Sequence, residues 1–247
     1  MSIVKCCWSG GKDSTYATFL HIQQGDEVKV VNYIPMLNDD IPMLLKCHHE
    51  FILSTAERFQ KMGATVNIVS GMTYVDYVHK LSSMGASKGL PFGFPYFIRG
   101  QCGFKRDSKQ KALASVDIGD FDYEDIAIAF DEVDRHAQLN DTRRSILVER
   151  KITEHDARIG CIEQQLLSPH YDILNRDGCT LCPHAPAKER RMWLNDYPEA
   201  FDVVLDLQEF VRKERPGRTP LRNHRWFIEE DMQVHFFDDG KTKYIIN

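Results

Sequence analysis

The sequence predicts an α/β protein: a doubly wound parallel sheet of Rossmann-like topology, followed by a helical C-terminal extension and a terminal β-hairpin. Short apolar runs alternate with helical segments through the first half of the chain, and such alternation is typical of parallel sheets wrapped by helices. After residue 152 the strand pattern gives way to helices. We therefore divide the 247 residues into an α/β domain over 1–150 and an extension over 151–247.

Strands and helices follow each other regularly near the start of the chain. Apolar spacing predicts strands over 3–8, 28–33 and 64–69, and helices over 13–24 and 47–62. Gly25 and Gly63 stand where these helices end, because glycine readily adopts the left-handed conformation that terminates a helix. Thr73 and Asp76 have the spacing of a capping box and predict a third helix toward residue 84.

The middle of the chain combines a long loop with a further strand. Residues 85–103 are rich in glycine, proline and aromatic residues, and a loop of that length usually carries function or forms a lid. The apolar run over 125–130 predicts a buried strand of the same sheet.

Helices dominate the predicted extension. Thr153 and Asp156 predict a capped helix that reaches residue 167. A second helix begins at Pro198, and its apolar stripe comprises Phe201, Val204, Leu205, Gln208 and Val211. A basic linker over 212–225 follows, and the tail over 233–246 predicts a β-hairpin that turns at Asp239-Gly240.

Composition limits the class of protein. The formal net charge of -5 does not attract nucleic acid overall, and we interpret Arg143-Arg144 and the basic run over 188–191 as solvated helix faces. No apolar run approaches the roughly 18 residues of a membrane span, and no secretory segment precedes the first strand. We therefore expect a cytosolic protein. Seven cysteines, an odd number, favour metal ligation, catalysis or burial over a disulfide framework.

A glycine loop directly follows the first strand. From Ser9 to Thr15 it reads Ser-Gly-Gly-Lys-Asp-Ser-Thr and passes into the first helix. Gly10 and Gly11 let the backbone turn tightly and approach a ligand without a Cβ clash. The helix behind them offers free N–H groups and a partial positive charge to an anion. The alternative is an ordinary glycine-rich turn. The full string of residues from Ser9 to Thr15, directly after the first strand, makes that alternative less favourable.

The side chains of this loop suit a phosphate ligand. Lys12 adds a positive charge, and the hydroxyls of Ser9, Ser14 and Thr15 can donate hydrogen bonds to phosphate oxygens. Asp13 cannot bind phosphate directly, so it either caps the helix or helps to hold Mg²⁺. The loop therefore predicts a nucleotide site that works with Mg²⁺.

The loop resembles the PP-loop signature of the adenine nucleotide α-hydrolase-like superfamily, which has a HUP-type fold. The resemblance implies that ATP is cleaved between its α- and β-phosphates while the loop holds the pyrophosphate. A substrate oxygen becomes adenylated, and a nucleophile, sulfide or ammonia, then displaces AMP. We assign catalytic roles to Lys12, Asp13 and Cys102.

Five further motifs narrow the branch by their order along the chain. They are Arg99 to Lys105, Asp131 to Arg135, Ile152 to Asp156, Leu167 to Tyr171, and Gly178 to Pro183. The succession resembles the phosphoadenosine phosphosulfate (PAPS) reductase-like branch over about residues 3–210. True sulfonucleotide reductases carry a nucleophilic cysteine in a C-terminal tail, whereas no cysteine follows Cys182 here. Branch members with Cys-x-x-Cys-Pro at this point are more similar to sulfur-inserting enzymes.

Cys179 and Cys182 have the spacing of a two-thiolate metal clip. The resemblance pairs Cys102 with this clip, and three thiolates leave one coordination position open. A [4Fe–4S] cluster with an open iron suits sulfur transfer, while zinc and unliganded thiols are the alternatives. Cys161 or His184 could be a fourth ligand, although helix packing suits Cys161 better. We interpret the remaining cysteines as core or surface residues: Cys6, Cys7 and Cys47.

Three basic residues are candidate contacts for an anion. Arg135 follows the strand predicted over 125–130, and ligands of parallel sheets bind beyond such strand ends. It either clamps an anion or pairs with a neighbouring carboxylate. Lys105 and Arg99 flank Cys102 and are candidates for contacting nucleotide phosphates or substrate.

The leading hypothesis is an ATP-dependent sulfur transferase that acts on a nucleobase-like carbonyl, free or within nucleic acid. Its partners are ATP, the acceptor, and sulfide or a sulfur-donor protein, and a homodimer is one assembly that we consider. The alternatives are a sulfonucleotide reductase, an ammonia-dependent amide ligase that holds zinc, and a nucleotide-binding module without turnover. The acidic net charge favours a small acceptor over long nucleic acid.

Overall fold

The computed structural model describes residues 1–95, 97–98, 101–176, 178–215, 233–236 and 242–245. Its strands are β1 (Ile3–Trp8), β2 (Glu27–Tyr33), β3 (Thr65–Val69), β4 (Phe97–Ile98), β5 (Gln101–Cys102), β6 (Tyr123–Asp125), β7 (Arg143–Arg144), β8 (Gln233–Phe236) and β9 (Thr242–Ile245). Its α-helices are α1 (Lys12–Gln23), α2 (Lys46–Lys61), α3 (Tyr74–His79), α4 (Lys111–Ser115), α5 (Ile146–Glu149), α6 (Glu154–Glu163), α7 (Ala187–Asp196) and α8 (Ala200–Glu214).

Five strands form one parallel sheet in the order β3-β2-β1-β6-β7. The central strand β1 alternates in burial, with Val4, Cys6 and Trp8 in the core, because successive side chains of a strand point to opposite faces of the sheet. Helices flank the sheet, and α1 packs on β1 and β2. The predicted α/β class and parallel sheet are confirmed, and the bounds of the first three strands lie within one residue of their predicted positions.

The helix after β1 is fixed at both ends by sequence features. Gly11 precedes α1 in an extended conformation, and Gly25 follows it with a φ of +85°, which glycine adopts without strain. On its inner side, Ala17 and Leu20 share an apolar cluster with Leu147 of α5. This packing holds the start of α1 at the end of the central strand.

The strand predicted over 125–130 is a correction, because β6 ends at Asp125. The Asp125 carboxylate accepts the N–H of Ala127 at 2.8 Å, and Ala127 has a φ of +47°, outside the extended region. Ile128 is fully buried all the same, and its carbonyl accepts the Ser145 hydroxyl at 2.7 Å. The apolar run therefore signals burial without signalling a strand.

For the helices α3 and α6, the sequence predicted the first residues correctly but placed the last residues too far along the chain. Thr73 accepts the Asp76 N–H, and Thr153 forms a full capping box with Asp156. Both helices end early, α3 at His79 and α6 at Glu163, against the predicted residues 84 and 167.

The basic run over 188–191 lies in a helix, α7, as interpreted, but Arg190 is buried, so the run is not a solvated face throughout. Arg143-Arg144 is exposed but forms strand β7 and not a helix face.

β8 and β9 pair in antiparallel fashion. The turn predicted at Asp239-Gly240 lies outside the described residues, and so does most of the basic linker predicted over 212–225. Among the described helices, none combines the length and the apolar character needed to cross a membrane.

The chain divides into two compact units, each assembled from separate segments. Unit 1 comprises Met1–Ile34, Cys47–Val69 and Leu113–Asp177, and unit 2 comprises Pro35–Lys46, Ser70–Ala112 and Gly178–Asn247. The five-stranded sheet belongs to unit 1. This division differs from the boundary predicted at residue 150, because segments from the first half of the chain belong with the C-terminal residues.

A buried histidine connects α1 to the sheet in unit 1. The His21 ring contacts Asp26 at 2.9 Å through Nδ1 and Asp125 at 3.0 Å through Nε2. Burial alone would lower the pKa of His21, but the hydrogen bonds and charges of Asp125 and Asp26 outweigh burial and raise it. The His21 ring between two carboxylates thus ties the end of α1 to the end of β6.

Candidate functional site

The glycine loop lies at the point where the strand order of the sheet reverses. β1 has β2 on one side and β6 on the other, so the connections that leave the two halves of the sheet run in opposite directions. In open parallel sheets, ligands bind in the crevice beyond the carboxyl ends of the strands at this point. The loop from Ser9 to Thr15 joins the carboxyl end of β1 to the first turn of α1. It therefore occupies the position where a phosphate-containing ligand is expected.

Gly10 is required by both conformation and packing. Its φ is +82°, and a Cβ at this position would lie 2.8 Å from Ile52 Cγ1 and 2.9 Å from His48 Cε1. Both of those side chains belong to α2 and are buried. The loop backbone is therefore in direct contact with α2, and no side chain fits between them.

Hydroxyl groups bond to each other inside the loop. The Ser9 and Ser14 hydroxyl oxygens are 3.1 Å apart, and the Gly11 N–H donates to Ser9 Oγ at 3.3 Å. Thr15 is fully buried, and its hydroxyl accepts the Trp8 indole N–H at 2.9 Å. Ser9 and Ser14 therefore line the turn together, whereas Thr15 faces the core.

Lys12 forms ion pairs in the structure. Its ammonium lies 2.7 Å from an Asp13 oxygen and 3.0 Å from a Glu154 oxygen. Burial would lower the pKa of Lys12, but these two carboxylates outweigh burial and raise it. For Asp13 burial raises the pKa, Lys12 opposes the rise, and the charges of Glu154 and Glu132 add to it. One ammonium thus serves two neighbouring carboxylates, and its contact with Asp13 is the closer one.

Two partners of the loop come from motifs to which the sequence assigned no such role. The Tyr171 hydroxyl accepts the Lys12 backbone N–H at 3.0 Å, and the Arg158 guanidinium lies 5.7 Å from the centre of the Tyr171 ring. Glu154, at the first turn of α6, is the second partner. Glu154 and Tyr171 lie 142 and 159 positions from Lys12 in the chain, so no local spacing could indicate these contacts.

A histidine pair lies beside the same loop. Ser168 Oγ is 2.9 Å from Nδ1 of His48 and 2.8 Å from Nδ1 of His170, and the two rings lie 4.2 Å apart. All three residues are buried. Because His48 also lies against Gly10, this network supports the backbone of the loop from behind.

Arg135 forms an internal ion pair. Its guanidinium lies 2.6 Å from Glu132, one of the alternatives that the sequence left open. The preceding carboxylate, Asp131, accepts the first N–H of α6 at Glu154. This motif therefore connects the loop after β6 to the helix that supplies Glu154 to Lys12.

The three cysteines predicted to bind a metal all influence the pKa of one tyrosine in unit 2. Tyr74 is buried, and its pKa lies well above the usual value, first because of burial and then because of the charges of Cys179, Cys102 and Cys182. The Cys102 thiol is half-buried. Two distant segments of the chain thus bring three thiols into one neighbourhood.

The protonation of Cys102 reflects opposing effects. Burial raises the pKa of its thiol, hydrogen bonds from the backbone N–H groups of Lys105 and Phe104 oppose the rise, and the charge of Cys182 adds to it. The Lys105 side chain is exposed, whereas Arg99 lies outside the described residues. In the described ranges, no three His, Cys, Asp or Glu side chains are grouped as ligands of one metal ion. The three thiols are therefore not grouped as one ligand set in this structure, and the metal site stays a prediction.

The other cysteines have protein contacts of their own. Cys161 is fully buried in α6, and its thiol donates to the Lys12 carbonyl at 3.2 Å. Burial, with a contribution from Asp13, raises the pKa of Cys161 to about 12, so the group is a neutral thiol that packs α6 on α1. Cys6 is buried in β1, and Cys7 donates to Glu124 at 3.1 Å. Cys6 and Cys161 are therefore packing residues, as expected from the sequence.

Comparison with known proteins adds no name to this site. Neither a scan against protein-family models nor a search of curated proteins found a match to the chain.

Proposed function

We propose that this protein is an ATP-using enzyme of the PP-loop type, which releases pyrophosphate and adenylates a carbonyl oxygen of a nucleobase-like acceptor. Replacement of that oxygen by sulfur completes the proposed reaction. The observation that carries the proposal is the position of the loop from Ser9 to Thr15, at the reversal of strand order and at the start of α1. The partial positive charge of a helix N-terminus favours an anion there.

The loop residues would bind and orient the phosphates. A phosphate that enters the turn competes with Asp13 and Glu154 for the Lys12 ammonium, so Lys12 exchanges one carboxylate for the ligand. The Ser9 and Ser14 hydroxyls, which now bond to each other, can turn toward phosphate oxygens. Contacts to the β- and γ-phosphates leave the α-phosphorus open to attack by the acceptor oxygen.

The sulfur step is proposed from the resemblance and from the cysteines near Tyr74. The acceptor oxygen attacks the α-phosphorus and pyrophosphate leaves. Hydrosulfide then adds to the adenylated carbon, and AMP departs with the oxygen while a proton is lost. Adenylation is needed because a carbonyl oxygen is otherwise a poor leaving group. In this account sulfide, or a protein that delivers it, is a substrate.

Product analysis tests the phosphate chemistry. We expect AMP and pyrophosphate after incubation with ATP, Mg²⁺, sulfide and candidate nucleobase acceptors under anaerobic conditions, measured by ion-exchange chromatography. ADP and phosphate as products would remove the protein from this reaction class. Tight ATP binding without products from any acceptor would favour a nucleotide-binding module.

Variants of the loop test the binding site. Lys12→Ala and Asp13→Ala should lose ATP turnover while the fold remains intact, because Lys12 supplies the charge that meets the phosphates and Asp13 helps to hold their Mg²⁺. Loss of one charge-assisted contact costs on the order of 1.5–3 kcal/mol, or roughly tenfold or more in affinity or rate. Lys61→Ala, at an exposed lysine that ends α2, is the matched control. Unchanged calorimetric ATP binding in Lys12→Ala would contradict the assignment of the loop.

A further inference from the structure

Asn32 carries a buried hydrogen-bond acceptor at the ligand-binding edge of the sheet. It is the last residue but one of β2, pairs with Trp8 in the register of the sheet, and is fully buried. Among the residues that the structure describes, none makes a hydrogen bond to its Oδ1 atom. Buried polar atoms in folded proteins nearly always have a partner. An acceptor of this kind therefore points to a donor that comes from outside the chain.

The orientation of the Asn32 side-chain amide is fixed by a hydrogen bond from its nitrogen, Nδ2. Nδ2 donates to the Trp8 carbonyl at 3.0 Å. That carbonyl can only accept, so exchanging the nitrogen and oxygen would place two acceptors against each other. Oδ1 is therefore an acceptor that cannot be converted into a donor by a flip of the side chain.

The position of Asn32 indicates which part of a nucleotide would reach it. Trp8 directly precedes the glycine loop, and β2 is the neighbour of β1 in the sheet. A nucleotide whose phosphates bind at that loop must extend its sugar and base over the carboxyl ends of the neighbouring strands. Asn32 stands at one of those ends, whereas the phosphates themselves carry no donor at neutral pH.

We propose that Asn32 selects the nucleoside half of the bound nucleotide, by accepting a hydrogen bond from a ribose hydroxyl or from the exocyclic amine of adenine. This inference rests on the proposed function, because it requires a nucleotide on the glycine loop. Asn32 suits this role in specificity because its Nδ2 group is bonded to the Trp8 carbonyl, which holds Oδ1 in place as an acceptor.

A panel of ATP analogues tests the proposal by calorimetry with Mg²⁺. Inosine triphosphate lacks the exocyclic amine, while 2′-deoxy-ATP and 3′-deoxy-ATP each lack one hydroxyl. We expect one of the three to bind the wild-type protein about tenfold or more weakly than ATP, because a buried acceptor then loses its donor. The weakened analogue identifies the group of the nucleoside that the protein recognises.

Asn32→Leu provides the decisive comparison. The leucine variant removes the acceptor at similar volume, so the difference between ATP and the discriminated analogue should fall to about twofold or less, on the reasoning that neither ligand now meets an acceptor. If the leucine variant does not fold, Asn32→Ser, whose hydroxyl is too short to replace Oδ1, is measured with the same expectation.

Three outcomes would overturn the inference. All analogues binding the wild-type protein as tightly as ATP would mean that a buried water satisfies Oδ1. A penalty that persists unchanged in the variants would assign selectivity to another residue. Failure of the wild-type protein to bind ATP at all would instead overturn the proposed function, and the inference with it.

Discussion

At the scale of single residues, the glycine loop depends on Gly10 more than on any charged group. Lys12 can exchange partners, and the serine hydroxyls can rotate, but the backbone at Gly10 has no alternative. Its left-handed φ and its contact with Ile52 and His48 both exclude a side chain. The left-handed φ is typical of glycine in turns. The close contact, in contrast, depends on where α2 packs.

We predict that Gly10→Ala destabilises the protein more than Gly25→Ala and also abolishes ATP binding. Gly25 has nearly the same φ, +85°, but nothing lies within 4 Å of a Cβ placed there. Gly25→Ala should cost only the left-handed strain, about 1–2 kcal/mol. Gly10→Ala adds overpacking against α2, about 1–3 kcal/mol more. Thermal unfolding and ATP calorimetry on both variants measure the difference, and equal destabilisation would argue against the packing explanation.

Residue types in the loop were predictable because their chemistry is local. The strand, glycines and following helix occur in one string, so the position of Lys12 at the start of α1 could be deduced from the sequence. Its partners Glu154 and Tyr171 could not, because they arrive from α6 and the segment after it through tertiary packing. Arg135 shows the intermediate case: both candidate roles were evident, but only the structure pairs it with Glu132.

At the scale of elements, periodicity identified strands and helices better than it identified their ends. The run over 125–130 is apolar without alternation, and such a run predicts burial without fixing the backbone conformation. Asp125 decides the outcome, since its carboxylate accepts backbone N–H groups from Ala127 and from Ile146. A polar side chain that captures backbone donors competes with the sheet, and it ends β6 after three residues.

The link between α1 and β6 makes stability depend on pH. Because the pKa of His21 is raised in the folded protein, its contribution is fully present below the unfolded pKa of about 6.5 and is lost as pH rises through the folded value. The pKa of Asp26 is lowered: burial opposes the change, and Ser2, Gln24 and His21 outweigh it. Its contribution is therefore lost only as pH falls through that lowered value.

We predict that His21→Gln lowers the free energy of unfolding near pH 6 by on the order of 1.5–3 kcal/mol, the scale of hydrogen bonds to a charged group. The gap between variant and wild type should narrow as pH rises, because the wild-type imidazolium loses its proton. Denaturant unfolding across pH 5 to 9 measures this, with exposed His155→Gln as the control. A gap that stays constant with pH would mean that His21 acts as a neutral residue.

At the scale of the whole molecule, the two compact units do not meet at the point in the sequence where strands give way to helices. The predicted boundary at residue 150 reflects the shift from strands to helices, whereas contacts join residues 35–46 and 70–112 with the C-terminal residues in unit 2. Long-range assembly of this kind cannot be deduced from composition. It is also what places Cys102 and the Cys179–Cys182 pair in the same unit, as the metal hypothesis requires.

We predict that the protein purified without oxygen contains iron and sulfide, and that Cys102→Ser, Cys179→Ser and Cys182→Ser each remove most of the iron. A site with three protein ligands and one open position cannot spare a ligand. Cys6→Ser, Cys7→Ser and Cys47→Ser should retain the metal. Metal and sulfide assays, with absorbance near about 400 nm as a cluster signature, provide the readout.

Cys161→Ser distinguishes between two cluster types. Since its thiol donates to the Lys12 carbonyl, we expect iron to stay and a modest loss of stability. Iron loss in Cys161→Ser would indicate four protein ligands and no open iron. Full retention of iron in Cys179→Ser would refute the cysteine site.

The pairing of β1 with β6 has a consequence for how the protein is made. The Ile3 N–H is satisfied by Asp122, 119 residues further along the chain. At about 5–20 residues per second on the ribosome, roughly six to 24 seconds pass between synthesis of the two. β1 and β2 can pair in that interval, but the other edge of β1 stays open, and open strand edges invite contact with other chains. We therefore expect the nascent protein to expose this strand edge during the interval in which its glycine loop is already synthesised and its sheet is still incomplete.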